Sequence, residues 1–375
     1  MSRRLLLVTN DFPPRQGGIQ SFLWEIVRRL PADQIAVYAS TYPGADSFDA
    51  DLSFPVRRHP TGLLVPTPAA ARRVLRTRHE FGATSVWFGA AAPLGLLGHR
   101  LRQAGAQRLV ATTHGHEVGW AMLPAARQLL RRIAGQVDVV TYLGDYTGRR
   151  LARVLGARAE LVKLTPGVDT TEFNPSISGQ SVRDRYQLGM APVVVCVSRL
   201  VPRKGQDMLI RCWPAVRAQV PEARLLIVGG GKYAGNLQTL AARSGQADSI
   251  VFTGAVPFDQ LPQHFAAGDV FAMPCRTRRF GLDVEGLGMV FLEASATGLP
   301  VIAGDSGGAP DAVRVGETGF LVDGRDRSEL TGRLVQLLRD RELAERFGRA
   351  GRAWVERDWQ WDRIADRLAE LVGLD

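Results

Sequence analysis

Glu285 and Glu293 stand eight residues apart in the run Glu285-Gly-Leu-Gly-Met-Val-Phe-Leu-Glu293. Gly286 and Gly288 permit a tight backbone ahead of Met289, Val290, Phe291 and Leu292, which open a helix ended by Gly298 and Pro300. The first carboxylate then lies on the loop before the helix and the second in its early turns. Unpaired amides at the helix start aim at whatever lies between them, and the helix dipole favours negative charge there. A sugar joined to a nucleoside through two phosphates fits this order. One carboxylate accepts from sugar hydroxyls, the amides hold phosphate, and the other carboxylate takes ribose hydroxyls.

Cations are available to the same ligand. Ser198-Arg199-Leu-Val-Pro-Arg203-Lys204-Gly205 follows an apolar run and precedes a helical pattern. Arg199 and Lys204 on such a strand-to-helix loop can converge on a diphosphate, Arg bridging two oxygens and Lys acting as a point charge. A departing nucleoside diphosphate gains negative charge that these groups would stabilise. Arg203 is either a third such cation or a surface neighbour. Asn10-Asp11-Phe-Pro-Pro-Arg-Gln16-Gly17-Gly18 is a second Gly-rich loop between strand and helix, where backbone amides can reach a phosphate. Thr113-His114-Gly-His116-Glu117 ends a further strand, and its His/Glu spacing is not that of a zinc helix. Asp49-Ala-Asp51 has the form of a D-x-D metal motif but sits in a polar loop without strand context, so no metal is expected.

The two glutamates resemble the E-x7-E signature of the retaining glycosyltransferases of family 4. Gly298-Leu-Pro-Val-Ile-Ala-Gly-Asp-Ser-Gly-Gly308, Gly319-Phe-Leu-Val, and Pro166-Gly-Val-Asp169 with Phe173 and Pro175 match the same family, so the resemblance spans nearly all 375 residues. It implies an α/β chain of two Rossmann-like domains facing across a cleft, the glycosyltransferase-B fold, with a C-terminal helix crossing back to the first domain. It implies retention of configuration without metal or cofactor, the leaving phosphate oxygen taking the acceptor proton. The catalytic set it implies is His114, Arg199, Lys204 and Glu285. The implied donor site is Gly17, Gly18, Arg199, Arg203, Lys204, Val256, Glu285, Gly288, Met289, Val290 and Glu293, with Val256 meeting the base through its backbone. Asn10, Asp11, Gln16 and His114 fall on the acceptor side, Asp11 as an orienter and His114 as a hydrogen-bond donor. Within the family, Arg276-Thr-Arg-Arg279-Phe-Gly-Leu-Asp283-Val-Glu285 resembles the actinobacterial phosphatidylinositol mannosyltransferases that use GDP-mannose and act on phosphatidylinositol monomannoside through a 1,6 linkage.

Placing these residues requires alternating strands and helices, and the chain shows that alternation. Strands are expected at 4–9, 35–40, 84–88, 108–113 and 137–142, then at 192–197, 223–228, 250–253, 270–273 and 300–303. The Pro/Gly/Ser/Asp-rich segment 166–182 reads as a linker. Expected domains are 1–168 for the acceptor, 183–351 for the nucleotide sugar, and 352–375 as the returning helix with Trp354, Trp359 and Trp361. With 45% hydrophobic residues the length supports two cores. The three cysteines, Cys196, Cys212 and Cys275, have no metal-ligand spacing and read as reduced thiols of a cytosolic protein.

The net charge of +10 is uneven. Residues 1–165 hold 22 Lys and Arg against 11 Asp and Glu, whereas 166–375 hold 25 against 26. The first domain is thus expected to meet the anionic inner face of the cell membrane as a peripheral protein, with 66–82 as a basic amphipathic helix carrying Arg72, Arg73, Arg76 and His79. No run approaches the length of a membrane span. Two other readings stand beside this one: a family-4 enzyme with a soluble acceptor, and a non-catalytic nucleic-acid binder that uses the basic half. The second leaves E-x7-E unexplained and lacks an RNA-binding signature, so no nucleic-acid partner is expected. Oligomeric state is left open.

Overall fold

The computed structural model describes residues 3–115 and 117–374, and the chain divides into two compact units. One runs to Gly167 and takes back the segment from Trp361; the other runs Val168–Gln360. The first holds a parallel sheet of β1 (Leu5–Thr9), β2 (Ile35–Ser40), β3 (Val56–His59), β4 (Ser85–Phe88), β5 (Arg108–Thr112), β6 (Val139–Tyr142) and β7 (Glu160–Lys163), ordered β3-β2-β1-β4-β5-β6-β7. The second holds β8 (Val193–Val197), β9 (Arg224–Val228), β10 (Ile250–Gly254), β11 (Val270–Met273), β12 (Val301–Gly304) and β13 (Gly319–Val322), ordered β10-β9-β8-β11-β12-β13. Each order reverses once, beside β1 and beside β8. The carboxyl ends of strands at such a reversal are where α/β sheets receive ligands.

Central strands are buried on both faces, and so read as unbroken apolar runs such as Leu5-Leu-Leu-Val and Val193-Val-Val-Cys-Val197. In the first unit Leu6 and Val8 face the helices Pro68–Phe81, Pro124–Ala134 and Asp145–Leu155, while Leu5 and Leu7 face Gly18–Val27 and Trp361–Val372. Three strands were not expected: β3, β7 and β13. All three are sheet edges. Val-Arg-Arg-His and Glu-Leu-Val-Lys carry the charges by which edge strands avoid further pairing, and those charges hide the strand pattern. All three cysteines are buried free thiols, and burial pushes Cys196 up to about 12.

Three expectations change. Segment 166–182 is not a loose linker, because from Val168 it belongs to the second unit. Phe173 is buried there and meets Phe265 edge-on with ring centres 5.6 Å apart. Arg352 Nη1 donates to the carbonyls of Thr170, Phe173 and Ala296 and ties the segment down. The region 352–375 is not one helix: Arg341–Asp358 ends before Trp359, and a new helix starts at Trp361. The chain turns extended there because Gln360 pairs with Val168, whose N–H donates to the Trp359 carbonyl at 2.8 Å. Trp354 and Trp359 therefore remain in the second unit, and only Trp361 onward joins the first, where Trp361 packs on Phe22.

The helix Pro68–Phe81 forms as its ends dictate, with Thr67 capping the Ala70 N–H and Gly82 left-handed at the other end. Its apolar side, including Ala70, Ala71 and Val74, is buried on the sheet. Arg72, Arg73, Arg76 and His79 are exposed. Its outward face is therefore basic rather than amphipathic, and Val74 is core.

Replacing Phe173 with Ala is expected to destabilise the second unit by about 3–5 kcal/mol, the usual effect of emptying a buried aromatic site. Calorimetric melting of the variant measures this, and a loss under about 1 kcal/mol would return the segment to the status of linker.

Candidate functional site

Glu285 is the buried centre of the second unit's site. It follows the loop after β11 and is 5% exposed. Lys204, on the turn Pro202–Lys204 after β8, is 8% exposed and places Nζ 2.8 Å from Glu285 Oε2. Arg203 lies between two carboxylates, with Nε 3.8 Å from Glu285 Oε2 and Nη1 3.6 Å from Asp283 Oδ1. Glu285 Oε2 is buried against the Lys204 ammonium, and Arg203 Nε is buried without a hydrogen-bond partner. Charges this far from water are tolerated only when matched, and here the Glu285 charge is set against two cations. Arg203 is thus part of the cluster rather than a surface neighbour.

Backbone contacts hold the carboxylate in place. Gly308 N–H donates to the Glu285 carbonyl at 3.0 Å, and the Ser306 hydroxyl accepts from the Glu285 N–H at 3.3 Å. A Cβ on Gly307, whose φ is +59°, would come within 1.9 Å of the Glu285 oxygen. The Gly-Gly pair at 307–308 is therefore required by direct approach of two backbones. A part-buried pair that the sequence reading missed ties the two segments together: Arg276 Nη2 reaches both oxygens of Asp207 at 2.8 and 2.9 Å, and the Arg276 N–H donates to the Arg203 carbonyl at 2.8 Å. Asp207 three residues after Lys204, and Arg276 at the head of the basic stretch, were the signals for it. Gln206 was also missed; its amide holds Ser198 and the Arg199 carbonyl, fixing the turn that carries the cations.

The helix Met289–Ala296 starts as expected, with Gly288 left-handed at its head and half-buried Met289 and Val290 in its first turn. Glu293 lies one turn in, partly buried. Burial, then the charge of Glu172, pushes its carboxyl up to about 7, against the pull of Lys204. Arg199 is exposed, and among the described residues no carboxylate lies within ion-pair distance of it. Val256 follows β10 and is partly buried.

The first unit's candidates gather at the carboxyl ends of β1, β4 and β5. Asp11 accepts from Gln20 Nε2 at 2.8 Å, and its own N–H donates to the Thr9 hydroxyl. Gly17 and Gly18 are exposed at the head of Gly18–Val27, and a Cβ on Gly17 would strike Gln20 Oε1 at 2.3 Å. Gln16 is exposed. Asn10 is used inside the fold: its amide donates to the Leu64 carbonyl and accepts the Leu64 N–H. His114 Nε2 donates to the Gly89 carbonyl at 2.6 Å, so that nitrogen carries the proton and is already engaged. Buried Glu117 receives the His114 N–H at 3.0 Å. His116 lies outside the described residues. Asp49 is bound by Arg58 at 2.6 and 2.8 Å. No group of three or more potential metal ligands occurs among the described residues.

In the second unit, Arg203 and Lys204 are gathered beside Glu285 and Asp283, with Arg199 exposed on the same strand-to-helix loop. The raised Glu293 also affects stability. Its folded-state proton is held until about pH 7, whereas the unfolded group releases it near 4.5, so stability falls as pH rises between those values. Glu293→Gln is expected to match the native protein at pH 4.5 and to exceed it by on the order of 3 kcal/mol at pH 8. Thermal melts across that range measure the divergence, and parallel curves would remove the assigned shift.

Sequence profiles described as "Glycosyltransferase Family 4" and "Glycosyl transferases group 1" match residues 16–172 and 181–354. The chain is 53% identical, over 98% of both chains, to the GDP-mannose-dependent alpha-(1-6)-phosphatidylinositol monomannoside mannosyltransferase of Mycobacterium tuberculosis. It is 46% identical, over 99% of this chain and 98% of the other, to the GDP-mannose-dependent monoacylated alpha-(1-6)-phosphatidylinositol monomannoside mannosyltransferase of Corynebacterium glutamicum. The crystal structure of Anabaena HepE in complex with UDP shares its fold, with a TM-score of 0.81, 21% identity and 99% coverage of each chain. With its two parallel-sheet units and this full-length similarity, the chain belongs to the family-4 glycosyltransferases of the glycosyltransferase-B fold.

Proposed function

We propose that this protein transfers mannose from GDP-mannose to phosphatidylinositol monomannoside through an α-1,6 linkage, with retention of configuration. The observation that carries the reading is the buried Glu285–Lys204 pair, with Arg203 alongside, ahead of the helix that bears Glu293. Full-length similarity to enzymes named for that donor and acceptor supports the choice of substrates.

In this reading Lys204, Arg203 and Arg199 take the diphosphate and stabilise the charge that grows as the glycosidic bond breaks. Amides at Gly288, Met289 and Val290 supplement them at the helix start. Glu285 accepts from the mannose hydroxyls, Glu293 from the ribose, and the backbone at Val256 meets the base. Gly17 and Gly18 offer amides to the distal phosphate. Asp11 and Gln16 orient the acceptor, His114 stands beside it at the end of β5, and Asn10 acts indirectly by holding the loop at Leu64. No metal or cofactor takes part; the leaving phosphate oxygen receives the acceptor proton.

A lipid acceptor brings the protein to a membrane surface. No helix among the described residues is long and apolar enough to cross a membrane. The exposed Arg72, Arg73 and Arg76 instead provide a charged contact for anionic lipid at the cytoplasmic face, worth about 1 kcal/mol for each basic side chain near the surface.

Product mass spectrometry tests the reaction. The protein is given GDP-mannose or UDP-sugars, with phosphatidylinositol and its monomannoside in separate vesicles. One hexose should be added to the monomannoside from GDP-mannose alone. Transfer only to the unmannosylated lipid, or to neither, would overturn the acceptor. Glu285→Gln and Lys204→Met should each lower kcat by about a hundredfold or more. Sedimentation with anionic vesicles tests the surface: reversing Arg72, Arg73 and Arg76 to Glu should weaken binding by more than about a hundredfold, since losing three basic charges alone costs about 3 kcal/mol. Unchanged binding would remove this helix from the membrane contact.

A further inference from the structure

The segment between Arg278 and Asp283 is a short hairpin at the edge of the site. Its two ends pair through the Arg278 N–H to the Asp283 carbonyl at 2.9 Å and the Asp283 N–H to the Arg278 carbonyl at 3.2 Å. The tip between them holds an unfavourable backbone. Arg279 and Phe280 have φ of +49° and +55°, a region that bulky L-residues rarely enter and that costs about 1–3 kcal/mol each. Nothing apolar covers the tip: Phe280 is fully exposed and Leu282 is 60% exposed. A fully exposed aromatic on a strained backbone contributes nothing to the core, so its placement calls for a reason outside folding.

Asp283 connects this tip to the phosphate-side cations. One carboxylate oxygen lies 3.6 Å from Arg203 Nη1 and the other 3.7 Å from Arg278 Nη1. Both contacts are longer than a good ion pair, and Arg203 Nε is buried without an acceptor. Arg203 is thus held by carboxylate charge but not satisfied by it. A phosphate oxygen would offer the same charge with better geometry.

We propose that Asp283 occupies Arg203 as a stand-in for the donor's diphosphate, and that donor binding moves Arg203 from Asp283 to phosphate. Phe280 and Leu282, already exposed at the tip, meet the acyl part of the acceptor. Asp283 is a positioning residue, and Phe280 and Leu282 determine acceptor affinity. This rests on the donor and acceptor proposed above.

Calorimetry with GDP and with UDP on the full chain tests the exchange. Asp283→Asn removes the competing charge while keeping the hairpin's backbone bonds, so it should bind the diphosphate about threefold tighter than the native protein, the range of a partly exposed ion pair. Damage to structure would weaken binding instead, so weaker or equal affinity in both Asp283→Asn and Asp283→Ala overturns the proposal. Tighter binding of UDP, with GDP not bound, would leave the exchange standing and overturn the GDP-mannose donor. Binding of neither nucleotide to the native protein overturns both. Phe280→Ser combined with Leu282→Ser should raise KM for the lipid acceptor about tenfold and leave KM for the donor unchanged; an unchanged acceptor KM overturns the role of the tip.

Discussion

A carboxylate buried beside a lysine sets the terms for the second unit. Removing Glu285 and Lys204 from water is tolerable only because the two charges lie 2.8 Å apart, with Arg203 close enough to share the field. That proximity demands that the turn after β8 and the loop after β11 meet, and the sheet order makes them neighbours by pairing β8 with β11. Gly307 presses directly on the Glu285 backbone and Gly308 on that of Gly286, and the Arg276–Asp207 pair joins the two segments that carry the cluster. Much of the glycine and charge distribution between residues 203 and 308 follows from holding one carboxylate where water does not reach it.

The same proximity shapes the chemistry. Cations already neutralised by protein carboxylates attract a diphosphate less than free cations would, but Lys204 is fixed before it arrives. Preorganised charge needs no rearrangement as the leaving group gains charge. Glu293 is tuned differently. Burial and Glu172 outweigh the pull of Lys204, leaving a carboxyl that exchanges its proton near neutrality while Glu285 sits against its cations. Two glutamates one helix-start apart thus occupy unlike electrostatic surroundings.

Much of this was legible before any fold was known. The inner strands announced themselves as apolar runs because both of their faces are buried, and the helix Pro68–Phe81 announced both of its ends through Thr67, Pro68 and Gly82. The E-x7-E run placed Glu285 on a loop and Glu293 in a helix, as found. The edge strands β3 and β7 escaped because their charges look like loop. The segment after Gly167 looked like a linker because its composition is polar, although Val168, Phe173 and Val182 anchor it to the core.

The sequence by itself determined which residue types lie at strand ends and helix starts, since local periodicity, glycines and caps are properties of neighbouring residues. It also determined the family, because the motifs recur at family spacing along nearly the whole chain. Only the tertiary structure decided which of those residues touch. Lys204 and Glu285 are 81 positions apart, Asp207 and Arg276 69, and nothing local links either pair. Asn10 turned out to serve Leu64, and His114 Nε2 to serve Gly89, because a carbonyl brought near by folding claims a hydrogen-bond donor before any ligand can. Long-range partners depend on sheet order and packing, and those are set by the whole core at once.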